Sequence, residues 1–112
     1  MIRTERLEPI SLGFDRAVPF GLIVNELVSN AYQHGIADHQ TPTLSIELYR
    51  EGDAIVFRIE DNGVGMNHDA AEGTGLLLVR ALCSQLHGEL LIQSPTMGDA
   101  GTRVTIRIPA VA

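Results

Sequence analysis

Apolar positions along this chain change their period several times, and each change marks a new element. Phe20, Val24, Leu27, Val28 and Ala31 recur at helical spacing and predict an amphipathic helix. Proline is unwelcome inside a helix, so regular helix is expected to begin near Pro19. Before it, PISLGF at 9–14 reads as a short strand, with Asp15 as the helix N-cap and Gly35 as the C-terminal stop. Period two then takes over. Leu44, Ile46 and Leu48 alternate with Ser45, Glu47 and Tyr49; after a Gly52-Asp53 turn, Ile55, Phe57 and Ile59 alternate with Val56, Arg58 and Glu60. This pair predicts a β-hairpin with one buried face. The loop DNGVGMNHDAAEGTG leads to a second helix carrying Leu76, Val79, Leu82, Cys83 and Leu86, with Gly88 as its cap. Strands at Glu89–Ser94 and Thr102–Ile108 close the chain. The fold class expected is α+β: a two-layer sandwich, its mixed and mostly antiparallel sheet covered by helices on one face.

The same alternation exposes two misfits. Two places beyond Ile59 on the inward side stands Asp61, and two places before Val104 stands Thr102. A carboxylate and a hydroxyl thus fall at strand ends on the face meant for the helices. A buried carboxylate without a donor costs several kcal/mol, roughly. Either Asp61 turns into the DNG loop and caps it, or a polar ligand sits between sheet and helices.

Composition removes several classes of function. A chain of 112 residues with 45% hydrophobic content suits one globular domain. No apolar run is long enough to span a membrane, MIRTERLEP does not resemble a signal peptide, and the single Cys83 suits a reducing compartment. A net charge of −6 without a basic cluster argues against nucleic acid and against direct membrane contact.

The first helix carries an unusual polar face. Glu26, Asn30 and His34 lie four apart on one line, and Asn25, Ser29 and Gln33 form the next, without Lys or Arg. An amide oxygen is a neutral ligand for hydrated Mg²⁺, and a carboxylate one turn away can orient water or accept a proton. A hydrogen-bonded polar seam is the other reading of these residues. Gly63, Gly65, Gly73 and Gly75 bracket a segment that exits at the start of the second helix, where free amides favour phosphate. Neither glycine pair fits the P-loop or dinucleotide-binding patterns.

E-x-x-x-N-A, then D-x-G-x-G, then G-T-G-L, then G-T before a terminal strand resembles the ATP-binding domain of the GHKL superfamily. This is the Bergerat fold shared by gyrase, Hsp90, MutL and histidine kinases. The likeness runs from about Leu12 to Pro109; PFGLIVNELVSNA and GTGLLLVRALCSQLHGEL most resemble the catalytic domain of bacterial two-component sensor histidine kinases. The resemblance implies Mg-ATP as substrate, with Asn30 as the Mg²⁺ ligand and Glu26 as general base or polarising carboxylate. It implies that Asp61 accepts from the adenine amino group, that Thr102 assists through water, and that Gly63 and Gly65 admit the nucleotide to the backbone. Gly73, Thr74, Gly75 and Leu76 would lie beside the phosphates.

The departures shape the functional expectation. Gln33 stands where many members carry a cation, leaving His34 as a candidate phosphate contact or a hydrogen-bonded helix end. The segment from Met66 to Glu72 makes a short lid without Phe. No upstream helical hairpin with an acceptor histidine is visible, and His34, His39, His68 and His87 all lie in other contexts. The expectation is therefore a cytoplasmic catalytic and ATP-binding domain spanning 1–112, either free or as the cytoplasmic part of a membrane-anchored sensor. Its partners would be a histidine-bearing dimerisation and phosphoacceptor domain and a downstream response regulator. The alternatives are a stand-alone serine kinase of the anti-sigma-factor type and a nucleotide-dependent binding module without transfer chemistry.

Overall fold

A computed structural model describes residues 2–32, 43–62, 74–93 and 101–110 (the side chains of 2–5 and 74 excepted). Seven elements follow in order: β1 (Ile2–Leu7), α1 (Phe14–Asn30), β2 (Leu44–Glu51), β3 (Ala54–Asp61), α2 (Thr74–Gln85), β4 (Glu89–Gln93) and β5 (Thr102–Pro109). The strands form one sheet in the order β1-β2-β3-β5-β4, and only β1 and β2 run parallel. Ile23, Leu27, Val79, Cys83 and Leu86 of the helices share one core with Leu44, Phe57, Ile59, Ile106 and Ile108 of the sheet. The α+β sandwich predicted from the sequence is the observed one. Among the described residues no helix is long and apolar enough to cross a membrane.

Several local expectations are corrected. The first strand is Ile2–Leu7, not 9–14. It lies at the sheet edge, paired through the main chain to β2, and its sequence IRTERL has no alternating run of apolar residues to announce it. Residues 8–13 form no regular element, though Ile10 and Leu12 pack against the core. The first helix starts at Phe14 with Gly13 as its N-cap, whose carbonyl accepts from the Arg16 and Ala17 amides; Asp15 lies in the first turn. Pro19 is inside that helix, buried, and the bond it deletes is the one to Asp15 in the exposed first turn. Ile23, absent from the predicted stripe, is fully buried.

The hairpin is buried on both faces near its turn rather than on one. Ala54 and Val56 are as buried as Ile55 and Phe57. On the outer face Val56 pairs with the buried Tyr49, and the Arg6 guanidinium lies 4.2 Å from the Tyr49 ring centre. Arginine stems flanking this pair cover apolar surface while their ends reach Glu8, Glu47 and Glu51.

At the end of α2 the left-handed residue is His87 (φ 57°), not Gly88. The His87 amide donates to the Ser84 carbonyl at 3.0 Å and the Gly88 amide to the Cys83 carbonyl at 2.8 Å, a Schellman closure. Gly88 is required for space instead: a Cβ there would come within 2.7 Å of Ile108 Cγ2 and 3.0 Å of Cys83 Sγ. Burial, and then the nearby Glu89 carboxylate, push the Cys83 thiol above its ordinary range, so it stays protonated at neutral pH.

Gly88→Ala should therefore destabilise the fold by about 1–3 kcal/mol, the usual cost of overpacking a tight site. Urea unfolding monitored by circular dichroism measures this directly. A variant as stable as wild type would show that β5 and α2 can separate without cost.

Candidate functional site

Two contacts fix how α1 lies on the sheet. Arg16, near its start, donates to the carbonyls of Pro109 and Ala110, beside the Ala54 end of β3. One turn later the Phe20 ring meets Phe57 edge-on, with centroids 6.4 Å apart. The helix thus runs in the same direction as β3. From these anchors, Phe20 to Asn30 spans about 15 Å of helix and Phe57 to Asp61 about 13 Å of strand. Asn30 and Asp61 are carried to the same end of the sandwich.

The second helix runs the opposite way. Its C-terminal turn touches Ile108, which pairs with Ile55 near the far end of β3. Its first turn lies against α1: a Cβ on Gly75 would overlap Glu26 Oε2 and lie 3.8 Å from Asn30 Oδ1. The N-terminus of α2, with its unsatisfied amides and positive dipole end, therefore opens beside Glu26 and Asn30. Both side chains are half-buried, and neither has a hydrogen bond or ion pair among the described residues. That weighs against a closed polar seam. On the neighbouring line Ser29 is half-buried and Asn25 exposed.

Asp61 and Thr102 are directly paired across β3 and β5, at 6% and 9% exposure. They are the only buried polar side chains among the described residues. The strand parity thus placed both correctly on the buried side, and the loop that Asp61 was alternatively expected to cap lies, beyond Asn62, outside the described residues. The residue that turns out is Asn62, whose side-chain oxygen accepts from the Thr43 amide at 2.7 Å while its own amide donates to the Thr43 carbonyl. This clamp ties the start of β2 to the end of β3 and holds Leu44 opposite Asp61.

Gly101 completes this end. Its φ of +131° is a conformation other residues rarely adopt, and a Cβ would overlap the Asp61 carbonyl. Asn62 and Gly101 were missed as site-shaping residues, although D-N-G and G-T flank the two inward polar positions in the sequence. Leu76, expected beside the phosphates, buries its side chain in the core, so only its backbone can face the site. Gly63, Gly65, Gly73, Gln33, His34, His39, His68 and the lid at 66–72 lie outside the described residues.

Comparison with known proteins gives the family and the fold. The family described as histidine kinase-, DNA gyrase B-, and HSP90-like ATPase matches residues 15–112. Blue-light-activated histidine kinase 2 of Erythrobacter litoralis is 31% identical over 107 residues, covering 91% of this chain and 30% of that protein. Sensor protein VraS of Staphylococcus aureus is 30% identical over 103 residues, covering 85% of this chain and 28% of that protein. The chain thus spans under a third of the length of these relatives. The solved histidine kinase domain of the Erythrobacter litoralis EL346 blue-light activated histidine kinase superposes with a TM-score of 0.85 at 27% identity, covering 97% of this chain and 54% of that one.

The contact at Gly75 gives a test that needs no ligand. Among the described residues only the end of the Glu26 side chain opposes a methyl group there, and Ala is the better helix former by up to about 1 kcal/mol. Gly75→Ala should leave stability to urea unchanged or raised while displacing the Glu26 carboxyl carbon resonance. A loss of stability greater than about 1 kcal/mol would mean that the carboxylate is fixed where it stands.

Proposed function

The chain belongs to the histidine kinase-, DNA gyrase B- and HSP90-like ATPase family, and we propose from that premise that it is the ATP-binding catalytic domain of a sensor histidine kinase. In this reading residues 1–112 form one module that transfers the γ-phosphoryl group of Mg-ATP to a histidine on a separate dimerisation and phosphoacceptor domain. That domain would in turn supply a response regulator, all on the cytoplasmic side. The observation that carries the reading is the gathering of Glu26, Asn30, Asp61, Thr102 and the start of α2 at one end of the sandwich.

Each residue then has a physical task. Asp61, buried at the β3 end, accepts from the exocyclic amino group of adenine, and Thr102 beside it shares a bridging water. Asn30 offers an amide oxygen, a donor suited to a hard divalent cation. Its half-buried position, with no hydrogen-bond partner among the described residues, fits a magnesium ligand. Magnesium, when bound, neutralises phosphate charge. Glu26, one turn from Asn30, is placed to accept the proton of the attacking imidazole or to polarise it. The backbone from Gly73 to Leu76 offers amides to the phosphates, Gly63 and Gly65 admit the nucleotide to the chain, and His34 is a further phosphate contact. Catalysis here rests on positioning and charge neutralisation.

Losing a charged hydrogen bond costs about 1.5–3 kcal/mol, so Asp61→Ala should weaken ATP and ADP alike by roughly ten- to a hundredfold. Calorimetric titration reads this, and unchanged affinity removes the adenine role. Glu26→Gln should keep most nucleotide affinity and slow transfer at least about tenfold; transfer at the wild-type rate returns Glu26 to a structural role.

The acceptor is tested by the chemistry of the product. The 1–112 chain with Mg-ATP should bind nucleotide without acquiring acid-labile phosphate. An added histidine-bearing acceptor domain should acquire it. Acid-stable phosphate on an added serine-bearing partner would replace this reading with the serine-kinase one.

A further inference from the structure

The last rung between β2 and β3 is closed by a side chain. In an antiparallel ladder, two residues that face each other as a hydrogen-bonded pair exchange two main-chain bonds. Thr43 and Asn62 stand in such a position, one step beyond the Leu44–Asp61 pair, and the Asn62 amide donates to the Thr43 carbonyl at 3.2 Å. The Thr43 amide donates at 2.7 Å to the Asn62 side chain, where a regular ladder would use the Asn62 carbonyl. The acceptor there must be Oδ1, because the other arm of a carboxamide carries only donors. The side chain thus keeps the rung while the main chain leaves the ladder.

The consequence falls on Asp61. Alternation along a ladder turns the main chain of Asn62 toward β2 and that of Asp61 toward β5, where Asp61 pairs with Thr102. On that side Gly101 packs so closely that a Cβ would overlap the Asp61 carbonyl and come within 3.3 Å of the Asn62 Cα. The peptide that follows Asp61 is therefore gripped from both neighbouring strands, and the grip on the β2 side runs through the Asn62 carboxamide. We propose that Asn62 is a positioning residue for the carboxylate of Asp61, and that through it Asn62 sets how strictly the site separates adenine from guanine. The second half of this inference rests on the adenine role proposed above for Asp61.

With the clamp closed, a carboxylate that is 6% exposed faces a fixed point and accepts there from an exocyclic amino group. A guanine in the same pose presents an oxygen at that point. Two acceptors facing each other across a buried gap repel, and neither is satisfied. Without Oδ1 of Asn62, the Thr43 amide regains an acceptor only if the Asn62 carbonyl turns back to it or water enters. Either change rotates the peptide beside Asp61 and lets the carboxylate give way. Loss of the clamp thus weakens adenine binding and relaxes the rejection of guanine. A residue that only stabilised the fold would change neither among the chains that remain folded.

Asn62→Ala should lower Mg-ATP affinity by roughly two- to tenfold, the range of one neutral hydrogen bond, and lower Mg-GTP affinity less. Asn62→Asp keeps an acceptor oxygen in the same place and should restore both. On an Asp61→Ala background Asn62→Ala should have no further effect, because the clamp acts through the carboxylate. Calorimetric titration of the 1–112 chain below each variant's melting temperature reads these effects, and Asn62→Ser, with its shorter reach, is the milder cut if the alanine variant does not fold. Without nucleotide, the same variants should displace the Asp61 carboxyl carbon resonance and speed hydrogen exchange at the Thr43 amide. An Asp61 resonance that stays in place overturns the inference, whether or not Asp61 binds adenine. So do equal losses of affinity with and without the Asp61 carboxylate, which would make the clamp structural only. A displaced resonance together with unchanged ATP affinity in Asp61→Ala keeps the positioning role and removes the adenine one.

Discussion

The candidate site depends on one constraint, the direction in which α1 lies along β3. Reversing the helix would keep its apolar stripe buried and its amphipathic energy nearly intact. It would carry Asn30 to the Pro109 end, far from Asp61. Burial of Phe20, Ile23 and Leu27 cannot choose between the two directions, because the hydrophobic effect is not directional. The choice falls to contacts with geometry: the edge-on packing of Phe20 against Phe57 and the hydrogen bonds from Arg16 to two carbonyls at the end of β5. Hydrogen bonds from a charged donor are worth about 1.5–3 kcal/mol, a substantial fraction of a small domain's stability.

How much of this was legible in the sequence follows from where the information resides. Asp61 and Thr102 were legible because strand parity is rigid: once Ile59 and Val104 face inward, the residues two places away must do the same. Their adjacency was not, since register between β3 and β5 is a tertiary fact. The line of Glu26 and Asn30 was legible from helical spacing, but its abutment on Gly75 depends on how two helices cross. The first strand escaped because β1 is held by backbone pairing at an edge, and backbone bonds leave no trace in side-chain pattern. Pro19 misplaced the helix start for a related reason. Its propensity cost is real, but burial of its ring overrides a local rule.

α1 therefore serves three surfaces from a single helix. Its core face carries Phe20, Ile23 and Leu27; the face toward α2 carries Glu26 and Asn30; its solvent face carries Phe14, Val18 and Leu22. A helix of 17 residues completes between four and five turns, enough to give each face its own line of residues.

The placement of positive charge bears on how a polyphosphate could be held. The chain contains no lysine, and all eight of its cationic residues are arginines. Arg58, Arg103 and Arg107 are paired with glutamates of other strands, and Arg6 with Glu8 two residues along. Arg16 is engaged with carbonyls and Arg50 with the Gly52 carbonyl. These six cannot reach the α2 N-terminus without abandoning their partners. With those six so engaged, a triphosphate bound there would meet a chain of net charge −6 and would draw on a divalent cation and on backbone amides at the helix start for much of its neutralisation. A helix terminus stabilises an anion by about 0.3–1 kcal/mol when exposed and up to about 2 kcal/mol when partly buried, too little alone against several negative charges. On the proposed reading the metal carries the larger share. The amide oxygen of Asn30 is then better suited to its position than a cationic side chain, because it can ligate the ion that does the neutralising.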